Sequence, residues 1–573
     1  MKHVVDCSVI TKTVPRHFLP LTVGSMLIAT IALAVDRPVA TVSQFTSALA
    51  ASQPGDTITM TNQVWQNVDL VFKKNGTAAN PITLRAQSPG GVIISGDSRL
   101  RIAGNWLVVD GLRFQNGTST STTIEFRENS SSLATNCALV NTAIVDNNKP
   151  SDTTDTKWVS LYGLSNRVEN CHFKGKTNSG TTLVVWLASG QTNFSNYHII
   201  RRNYFGPRPD LGVNGGETIR VGDSATSFTW SRTLVEENLF YKCNGETEII
   251  SSKSLDNTYR HNTFDSCEGA LTLRHGNSCT VEGNWFLGRG LPLTGGVRVI
   301  GEDHRVYNNY FVDLMGTGYR SALTLMMGVP DSALNEYFQV KRATVAFNTF
   351  INCKVSILIG LVGSTPNSTL PPLDCVIANN IVRSLNAPLI QQSATPLNMT
   401  WDGNIMFGAS LGIPGNSGIT VTDPTMNLSP DGLWRPATNS PALGAALGSY
   451  SYVTTDFDGQ LRPVTKDVGC DQSSVAPMVR RPLGPTDVGP VWMRSVGPIR
   501  TIDYLGDTVT LTWDSVPGLP YRVQYSSNAV HWMSVSQTVS NQLTTSSWTD
   551  NGSLTGGAPG SKVARFYRVG ITP

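Results

Sequence analysis

The sequence from residue 238 to 286 decides the fold: NLFYKCNGETEIISSKSLDNTYRHNTFDSCEGALTLRHGNSCTVEGNWF. An asparagine followed two residues later by phenylalanine occurs in it at Asn238, Asn262 and Asn284. Further strong copies begin at Asn203, Asn309 and Asn348, and weaker ones at Cys171, Asn380 and Asn404. The strong copies are 35, 24, 22, 25 and 39 residues apart. A minimum of 22–25 residues matches one coil of a parallel β-solenoid, with insertions lengthening some coils.

The chemistry of the repeated phrase supports this interpretation. An asparagine tolerates the left-handed turn conformation, and its amide can bond the coils on either side. The phenylalanine two residues later lies on the same strand face, so stacked copies can fill the interior. We therefore predict an all-β protein, a right-handed parallel β-helix. Cys243, Cys267 and Cys353 each follow a repeat asparagine by five residues, which favours a buried column of thiols over a 243–267 disulfide.

Composition excludes two broad classes of protein. Of 573 residues, 40% are hydrophobic and 15% charged, which is too much apolar material and too little charge for a disordered chain. The formal net charge is only +3, so a nucleic-acid binder is not expected. The 52 glycines suit a turn-rich β protein.

The N-terminus predicts export. Lys2, Lys12 and Arg16 precede an apolar stretch over 18–34 that ends in a small-x-small sequence. This is typical of a signal peptide covering 1–34, which predicts a secreted or periplasmic protein. The alternative is a membrane anchor, for which 17 residues interrupted by Pro20 are marginal.

The rest of the chain divides into three predicted regions. The β-helix is expected over 35–470, with a short capping helix over 43–51 and coils from about residue 56. Residues 471–499 carry five prolines and are expected to be a linker. From 500 to 573 the alternating pattern of Val509, Leu511 and Trp513 predicts a small β-sandwich, similar to fibronectin type III appendages.

The polar residues that best suit chemistry fall in three successive coils, between residues 214 and 276. In the second coil, Glu246 and Glu248 are two residues apart and are expected to share one strand face. The 24-residue shift of the repeat places Ile250 beside Arg274, which brings Arg274 near Glu248 and Lys253. Two adjacent carboxylates repel each other unless a cation holds them, and oxygen ligands suit Ca²⁺. A solvated surface pair is the alternative.

These residues resemble polysaccharide lyase family 6, which contains alginate lyases and chondroitinase B. The resemblance rests on NGGETIRVG at 214–222, NGETEIISSKS at 244–254 and RHGN at 274–277. It extends through GGVRVIGEDHRVYNNYF at 295–311 and DFDGQLRP at 456–463, so it covers roughly residues 38 to 475.

The resemblance implies a calcium-assisted β-elimination on a uronic-acid polysaccharide. Asn214, Glu246 and Glu248 match the calcium ligands of the family. Lys253 matches the base that removes the C5 proton, and Arg274 matches the residue that serves the leaving O4 oxygen. The chemistry agrees, because a cation on the uronate carboxylate stabilises the charge that deprotonation creates. An arginine is a poor acid, so its expected role is oxyanion stabilisation or proton relay.

Further residues of the same coils and insertions are expected to bind substrate. They are Arg220, His275, Arg298, Tyr319 and Arg320. His275 is equally suited to binding substrate and to supporting Arg274. Trp285 could either stack on a sugar ring or only cover the surface of the protein. We expect the insertions at 206–215, 287–296 and 312–342 to shape the cleft. A monomer is expected, with no stable membrane insertion.

Three functions fit the sequence. The leading one is a lyase that leaves 4,5-unsaturated uronate ends. An inverting hydrolase would use Glu246 and Glu248 but gives Lys253 and Arg274 no role. In a non-catalytic glycan-binding solenoid, the meeting of Lys253, Arg274 and the two glutamates on one face would be a coincidence. Within the lyase prediction, the low net charge favours alginate over dermatan sulfate, and neither block preference nor endo or exo action follows from the sequence.

Overall fold

The protein is described from a computed structural model. It describes residues 34–148, 155–188, 195–212, 214–364, 367–386, 388–493, 499–515, 520–529, 531–540, 545–562 and 564–571. The predicted signal peptide lies outside the described residues except for Ala34. Within the described residues, no helix is both long and apolar enough to cross a membrane.

Three long sheets form a parallel β-helix, which confirms the predicted fold. Each sheet has 14 strands, and successive coils add parallel strands to each, except that the residues 124–135 contribute three short strands to sheet 2, two of which pair antiparallel. Sheet 1 consists of Asp36–Val39, Thr57–Met60, Ile82–Ala86, Leu107–Asp110, Ala138–Val140, Arg167–Glu169, Ile199–Arg201, Leu234–Glu236, Thr258–Arg260, Thr280–Glu282, Arg305–Tyr307, Thr344–Ala346, Val376–Ala378 and Thr400–Asp402. Sheet 2 consists of Asp69–Asn75, Arg99–Asn105, Ile124–Glu125, Arg127–Asn129, Ser132–Thr135, Val159–Leu161, Leu183–Val185, Ile219–Gly222, Glu248–Lys253, Gly269–His275, Thr294–Val299, Leu323–Met326, Ile357–Leu361 and Ile390–Gln392. Sheet 3 consists of Val64–Gln66, Ile93–Gly96, Arg113–Gly117, Ala143–Val145, His172–Lys174, Tyr204–Phe205, Leu239–Tyr241, Thr263–Asp265, Trp285–Leu287, Tyr310–Val312, Thr349–Ile351, Ile381–Ser384, Asn404–Gly408 and Ile419–Val421.

The repeat asparagines form a continuous ladder in the turn between sheets 1 and 3. In each step the side-chain amide donates to the next coil's amide oxygen, as from Asn238 to Asn262 and from Asn262 to Asn284, both at 3.0 Å. The same oxygens accept backbone N–H groups, so these buried amides are satisfied. One expectation is wrong. The left-handed residue is the one before each asparagine, such as Glu237 and His261, because the chain bends there while the asparagine faces inward.

The phenylalanines of the repeat stack through the interior as predicted. Phe240, Phe264 and Phe286 are at most 2% exposed, and their ring centroids are 4.6 Å apart. All eight cysteines of the described residues are buried and unpaired. The backbone N–H of Cys243 lies 3.4 Å from the sulfur of Cys267, so the thiol column predicted over the disulfide is present. One apolar core therefore runs the length of the helix.

The ends of the β-helix are closed by different elements. The predicted capping helix is present as Val42–Ala51, with the Thr41 hydroxyl accepting from the Gln44 N–H at its start. The coils end at Val421 rather than near residue 470, because the repeated phrase stops after Asn404. A hairpin of Met426–Leu428 and Trp434–Pro436 and an irregular segment to residue 470 follow and pack outside sheet 3.

Residues 471–493, within the predicted linker, lie against the β-helix. The backbone N–H of Leu483 donates to the Thr263 hydroxyl at 2.8 Å, and the Trp492 indole donates to the Asn141 carbonyl at 3.0 Å. We call residues 471–493 the strap. After it, the predicted sandwich is present as two three-stranded antiparallel sheets. One contains Ile499–Leu505, Thr508–Asp514 and Thr545–Asp550, and the other contains Met533–Val539, Tyr521–Ser526 and Phe566–Ile571. Short 3-10 turns lie at Ser224–Thr226, Gly318–Arg320, Val491–Met493 and Pro559–Ser561.

Candidate active site

A polar cavity of about 660 Å³ opens on the outer face of sheet 2. The central strands of that sheet supply its floor, and two of the predicted insertions supply its walls. Its lining residues are Asp210, Gly212, Asn214, Ser224, Glu246, Thr247, Glu248, Lys253, Arg274, His275, Arg298, Tyr319, Arg320, Asn335, Tyr337 and Ser364. Nine of the ten predicted site residues are among them, and Arg220 is not. The insertion at 287–296 supplies no lining residue.

The register that brings these residues together differs from the predicted one. Ile250 pairs with Leu271, not with Arg274, and Lys253 pairs with His275. The pairing shifts between Glu248 and Ile250 and again between Ser252 and Lys253, where Arg274 is the extra residue. The 24-residue period holds at the asparagine ladder but not in sheet 2, because the turns between the sheets differ in length. Such bulges re-aim side chains, and the second one places Arg274 in the cavity beside Lys253.

The two glutamates are held differently. Glu248 begins its strand and forms an ion pair with the guanidinium of Arg298, while the Arg274 guanidinium lies 3.9 Å away. Burial raises the pKa of Glu248, but Arg298, Lys253 and Arg274 lower it by more, so its net pKa falls below the usual range. Glu246 lies in the turn before the strand and accepts from the Gly215 N–H at 2.9 Å.

Glu246 carries the opposite pKa shift. Burial and the neighbouring carboxylates of Glu217 and Glu248 raise its pKa to about 8. Asn214, on the facing loop, is exposed and adds an amide oxygen to the same end of the cavity. Two carboxyl groups and an amide form an all-oxygen donor set, in which Glu246 has no positively charged partner to lower its pKa. These residues fit a hard divalent ion such as Ca²⁺.

Arg274 is fixed by many contacts. Its guanidinium donates to the backbone carbonyls of Glu336 at 2.7 Å and Asn335 at 3.1 Å, and it lies 4.3 Å from the centre of the Tyr337 ring. His275 is buried beside it. Burial lowers the pKa of His275 to about 2, with Arg274 and Lys253 adding to the effect, so the ring is neutral.

The ring of His275 bridges two neighbours. One nitrogen lies 3.2 Å from the Ser224 hydroxyl and the other 3.4 Å from the Arg274 guanidinium. The imidazole lines the cavity, but its two ring nitrogens are engaged within the protein. This arrangement favours the support of Arg274 over direct substrate binding.

Aromatic residues close the far wall. The Arg298 guanidinium lies 4.8 Å from the centre of the Tyr319 ring. Tyr319 and Tyr337 both line this wall, together with Arg320. Tyr337, Ser224, Asn335 and Ser364 were missed because they lie outside the repeated phrase, and no local pattern marks them. For Tyr337 and Asn335, the insertion at 312–342 was the only signal.

Trp285 is not part of the cavity. It is 1% exposed on sheet 3, where it packs near Phe457. Its burial excludes a role as a sugar platform, and Trp285 is itself covered by the segment that contains Phe457. A separate group of buried carboxylates, Asp456, Asp458 and Asp471, lies outside sheet 3, beside Phe457, which packs against Tyr310. Arg435 forms ion pairs with two of them, so it is an ion-paired structural cluster.

The comparison with protein families decides the identity. A model of the chondroitinase B family matches residues 39–414, which span most of the β-helix and the whole cavity. The chain belongs to this family, polysaccharide lyase family 6. Among curated proteins, none matches the sequence.

Solved structures of the same family share the fold. The PL6 family alginate lyase AlyGC is 36% identical with a TM-score of 0.67, and a variant of it is 38% identical with the same score. The alignments cover 78% and 70% of this chain and 59% and 55% of theirs, so the chain spans little more than half of those relatives. A mannuronic acid specific family 6 lyase from human gut microbiota is 29% identical, with a TM-score of 0.60, over 66% of this chain and 87% of its own.

Proposed function

We propose that the protein is an alginate lyase that cleaves its substrate by calcium-assisted β-elimination. One observation carries this proposal: Lys253, Arg274 and the carboxylates of Glu246 and Glu248 meet around one cavity. A hydrolase of the inverting type needs an acid and a base carboxylate across a water, and Glu248 is instead neutralised by arginines. The alginate lyases among the structural relatives support alginate as the polymer. Export through the segment 1–34 is part of the same proposal.

Each of these residues has a separate role in the proposed β-elimination. Lys253 removes the proton from C5 of the uronate, and the electrons of that bond form the C4=C5 double bond as the bond from C4 to O4 breaks. Arg274, fixed by Glu336 and Asn335, stabilises the negative charge on the departing O4 oxygen, which then takes a proton from solvent water. Arg298 and Arg320 provide further positive charge for substrate carboxylates.

Calcium is proposed as the cofactor, held by Asn214, Glu246 and Glu248. When bound, it would neutralise the uronate carboxylate and so make the C5 proton more acidic. Lys253 ends the strand that Glu248 begins, so it lies on the same floor of the cavity.

The test uses ultraviolet absorbance, because elimination creates a conjugated alkene and hydrolysis does not. The protein is incubated with alginate and, separately, with dermatan sulfate, each with Ca²⁺ and with EDTA. We expect alkene absorbance on alginate, its loss with EDTA, and a fall of about 10³-fold in kcat for Lys253→Ala. The control is Lys242→Ala, an exposed lysine on sheet 3's side of the helix.

Each alternative outcome points to a different function. Alkene formation on dermatan sulfate alone would make the protein a chondroitinase B, the activity for which its family is described. New reducing ends without alkene would indicate a hydrolase. Neither product on either polymer would contradict the catalytic assignment of Lys253 and Arg274.

A further inference from the structure

A second cavity lies between the strap and the β-helix, on the side of sheet 3. Its volume is about 290 Å³, and the active-site cavity opens on a different sheet. The β-helix contributes residues from three successive coils to its lining, and the strap supplies the other side. We call it the strap cavity, and the residues that define it are Glu237, His261 and Trp285 of the β-helix and Arg480, Leu483 and Asp487 of the strap.

Hydrogen bonds hold the strap against the β-helix side of the molecule at this cavity. The Arg480 N–H donates to the Asp458 carbonyl at 2.8 Å. Three residues later, the Leu483 N–H donates to the Thr263 hydroxyl at 2.8 Å. The strap cavity is therefore preformed, and a ligand binds there without first ordering the strap.

Arg480 gives the strap cavity a positive charge without a counter-ion. Of the other two arginines in the lining, Arg202 pairs with Glu237 at 2.7 Å. Arg481 pairs with Asp487 at 2.6 Å. Within the described residues Arg480 forms no ion pair, and its buried Nη1 has no hydrogen-bond partner. A partly buried guanidinium without a counter-ion favours an anion from solution.

The indole of Trp285 adds an unused hydrogen-bond donor to the same lining. Trp285 is 1% exposed, and among the described residues its Nε1 has no hydrogen-bond partner. A buried donor without an acceptor is destabilising, so a ligand that supplies an acceptor is favoured. His261, from the preceding coil, adds no charge, because burial lowers its pKa to about 3 and Arg480 lowers it further. An oxyanion satisfies both Arg480 and Trp285.

The rest of the lining suits a small hydroxy acid better than a bare inorganic ion. The volume of the strap cavity is close to the lower end of the range for small-molecule sites, roughly 300 Å³. Val479 and Leu483 add apolar surface for carbon atoms. The carboxylates of Glu237 and Asp487 have more acceptor positions than their arginine partners use, and hydroxyl groups can donate to them.

We propose that the strap cavity binds a small hydroxy acid, about the size of a sugar acid, whose carboxylate is held by Arg480 and the Trp285 indole N–H. Its hydroxyl groups donate to Glu237 and Asp487. The bound acid contacts the strap and the β-helix together, so it fastens one to the other. This site is separate from the proposed lyase chemistry, because no residue lines both cavities.

The test measures binding of sodium glucuronate, a sugar acid, to the full chain by calorimetry. We expect saturable binding that Arg480→Gln weakens about tenfold. Trp285→Phe keeps an aromatic ring but removes the N–H, and it should weaken binding by a smaller factor. Bound glucuronate should also raise the unfolding temperature and slow proteolysis of the strap. The unfolding temperature of each variant without ligand shows whether its fold is kept.

Two further arginine variants are the controls. Arg232→Gln removes the same charge from a residue that is paired with Asp256 outside the strap cavity, and it should leave binding unchanged. Arg298→Gln reports on glucuronate in the active-site cavity. Binding that falls in Arg298→Gln but not in Arg480→Gln, or no binding at all, would overturn the strap site and leave the lyase proposal intact. Sulfate bound as tightly as glucuronate would overturn the assignment to a hydroxy acid.

Discussion

Glu246 and Glu248 show how position on one short segment sets the charge of a carboxylate. Both are half-buried, and their loss of hydration alone raises the pKa of each. Glu248 faces Arg298, Lys253 and Arg274, so it stays ionised at neutral pH. Glu246 faces two carboxylates instead, and its pKa rises to about 8. The site therefore holds the ionised carboxylate of Glu248 among arginines. Beside it lies the carboxyl group of Glu246, which has no positively charged partner.

A buried histidine predicts the pH dependence of stability. His304 is fully buried; its Nδ1 accepts from the Cys279 N–H at 3.1 Å. Burial lowers its pKa from 6.5 to about 4. Between pH 6.5 and 4, His304 therefore binds a proton in the unfolded chain but stays neutral in the folded protein. Stability from neutral His304 is complete above pH 6.5 and is lost as pH falls towards 4, by roughly 3 kcal/mol.

Replacing His304 tests whether this residue causes the predicted loss of stability at low pH. Asn166 fills the same turn role in an earlier coil, where its amide oxygen accepts the Cys137 N–H, so His304→Asn keeps an acceptor but cannot titrate. We expect a smaller loss of unfolding temperature between pH 7 and 4 than in the parent protein. His531→Asn, at an exposed position, should leave the pH profile unchanged. An identical profile for His304→Asn would contradict the argument.

At the scale of elements, the asparagine ladder is the feature that the sequence predicts best. A strict local phrase places Asn262 between Asn238 and Asn284, and the structure joins them in that order. The period fails in sheet 2, because bulges beside Glu248 and Arg274 depend on turns of unequal length. The cavity residues were still found, since polar side chains on an outward strand face need only approximate register. Tyr337 was not, because a long insertion brings it in.

The ladder predicts a large effect for one substitution. Asn262→Ala removes four hydrogen bonds, two to Asn238, one to Asn284 and one to the Val235 carbonyl, and leaves buried polar groups unpaired. We expect the free energy of unfolding to fall by about 3 kcal/mol or more, measured by denaturant titration. Asn398→Ala removes one exposed hydrogen bond to Asp374 and should cost below about 1 kcal/mol. Equal costs would show that the ladder does not stabilise the coils.

For the whole molecule, the strap connects the coil of Thr349 to the early coils of the solenoid. Cys470 donates to the Thr349 hydroxyl, Leu483 to Thr263, and Gly489 to the carbonyl of Arg202, so the strap runs back along sheet 3. Val488 is 1% exposed and packs between Tyr204 and Leu239. The cavity opens on sheet 2, a different face. The strap is therefore placed to stabilise the coils without contacting the substrate.

Val488→Asp tests whether the strap stabilises the coils without affecting catalysis. The substitution removes the burial energy of the valine and places a carboxylate, stripped of its hydration, between Tyr204 and Leu239. The combined cost is about 3 kcal/mol, so the strap should detach. We expect a lower unfolding temperature and faster proteolysis of the strap, with kcat on alginate unchanged. Val479→Asp, at a strap position 74% exposed, should change neither. A fall in kcat with an unchanged unfolding temperature would mean that the strap acts on the cavity, because only coupling across the core could carry its effect from sheet 3 to sheet 2.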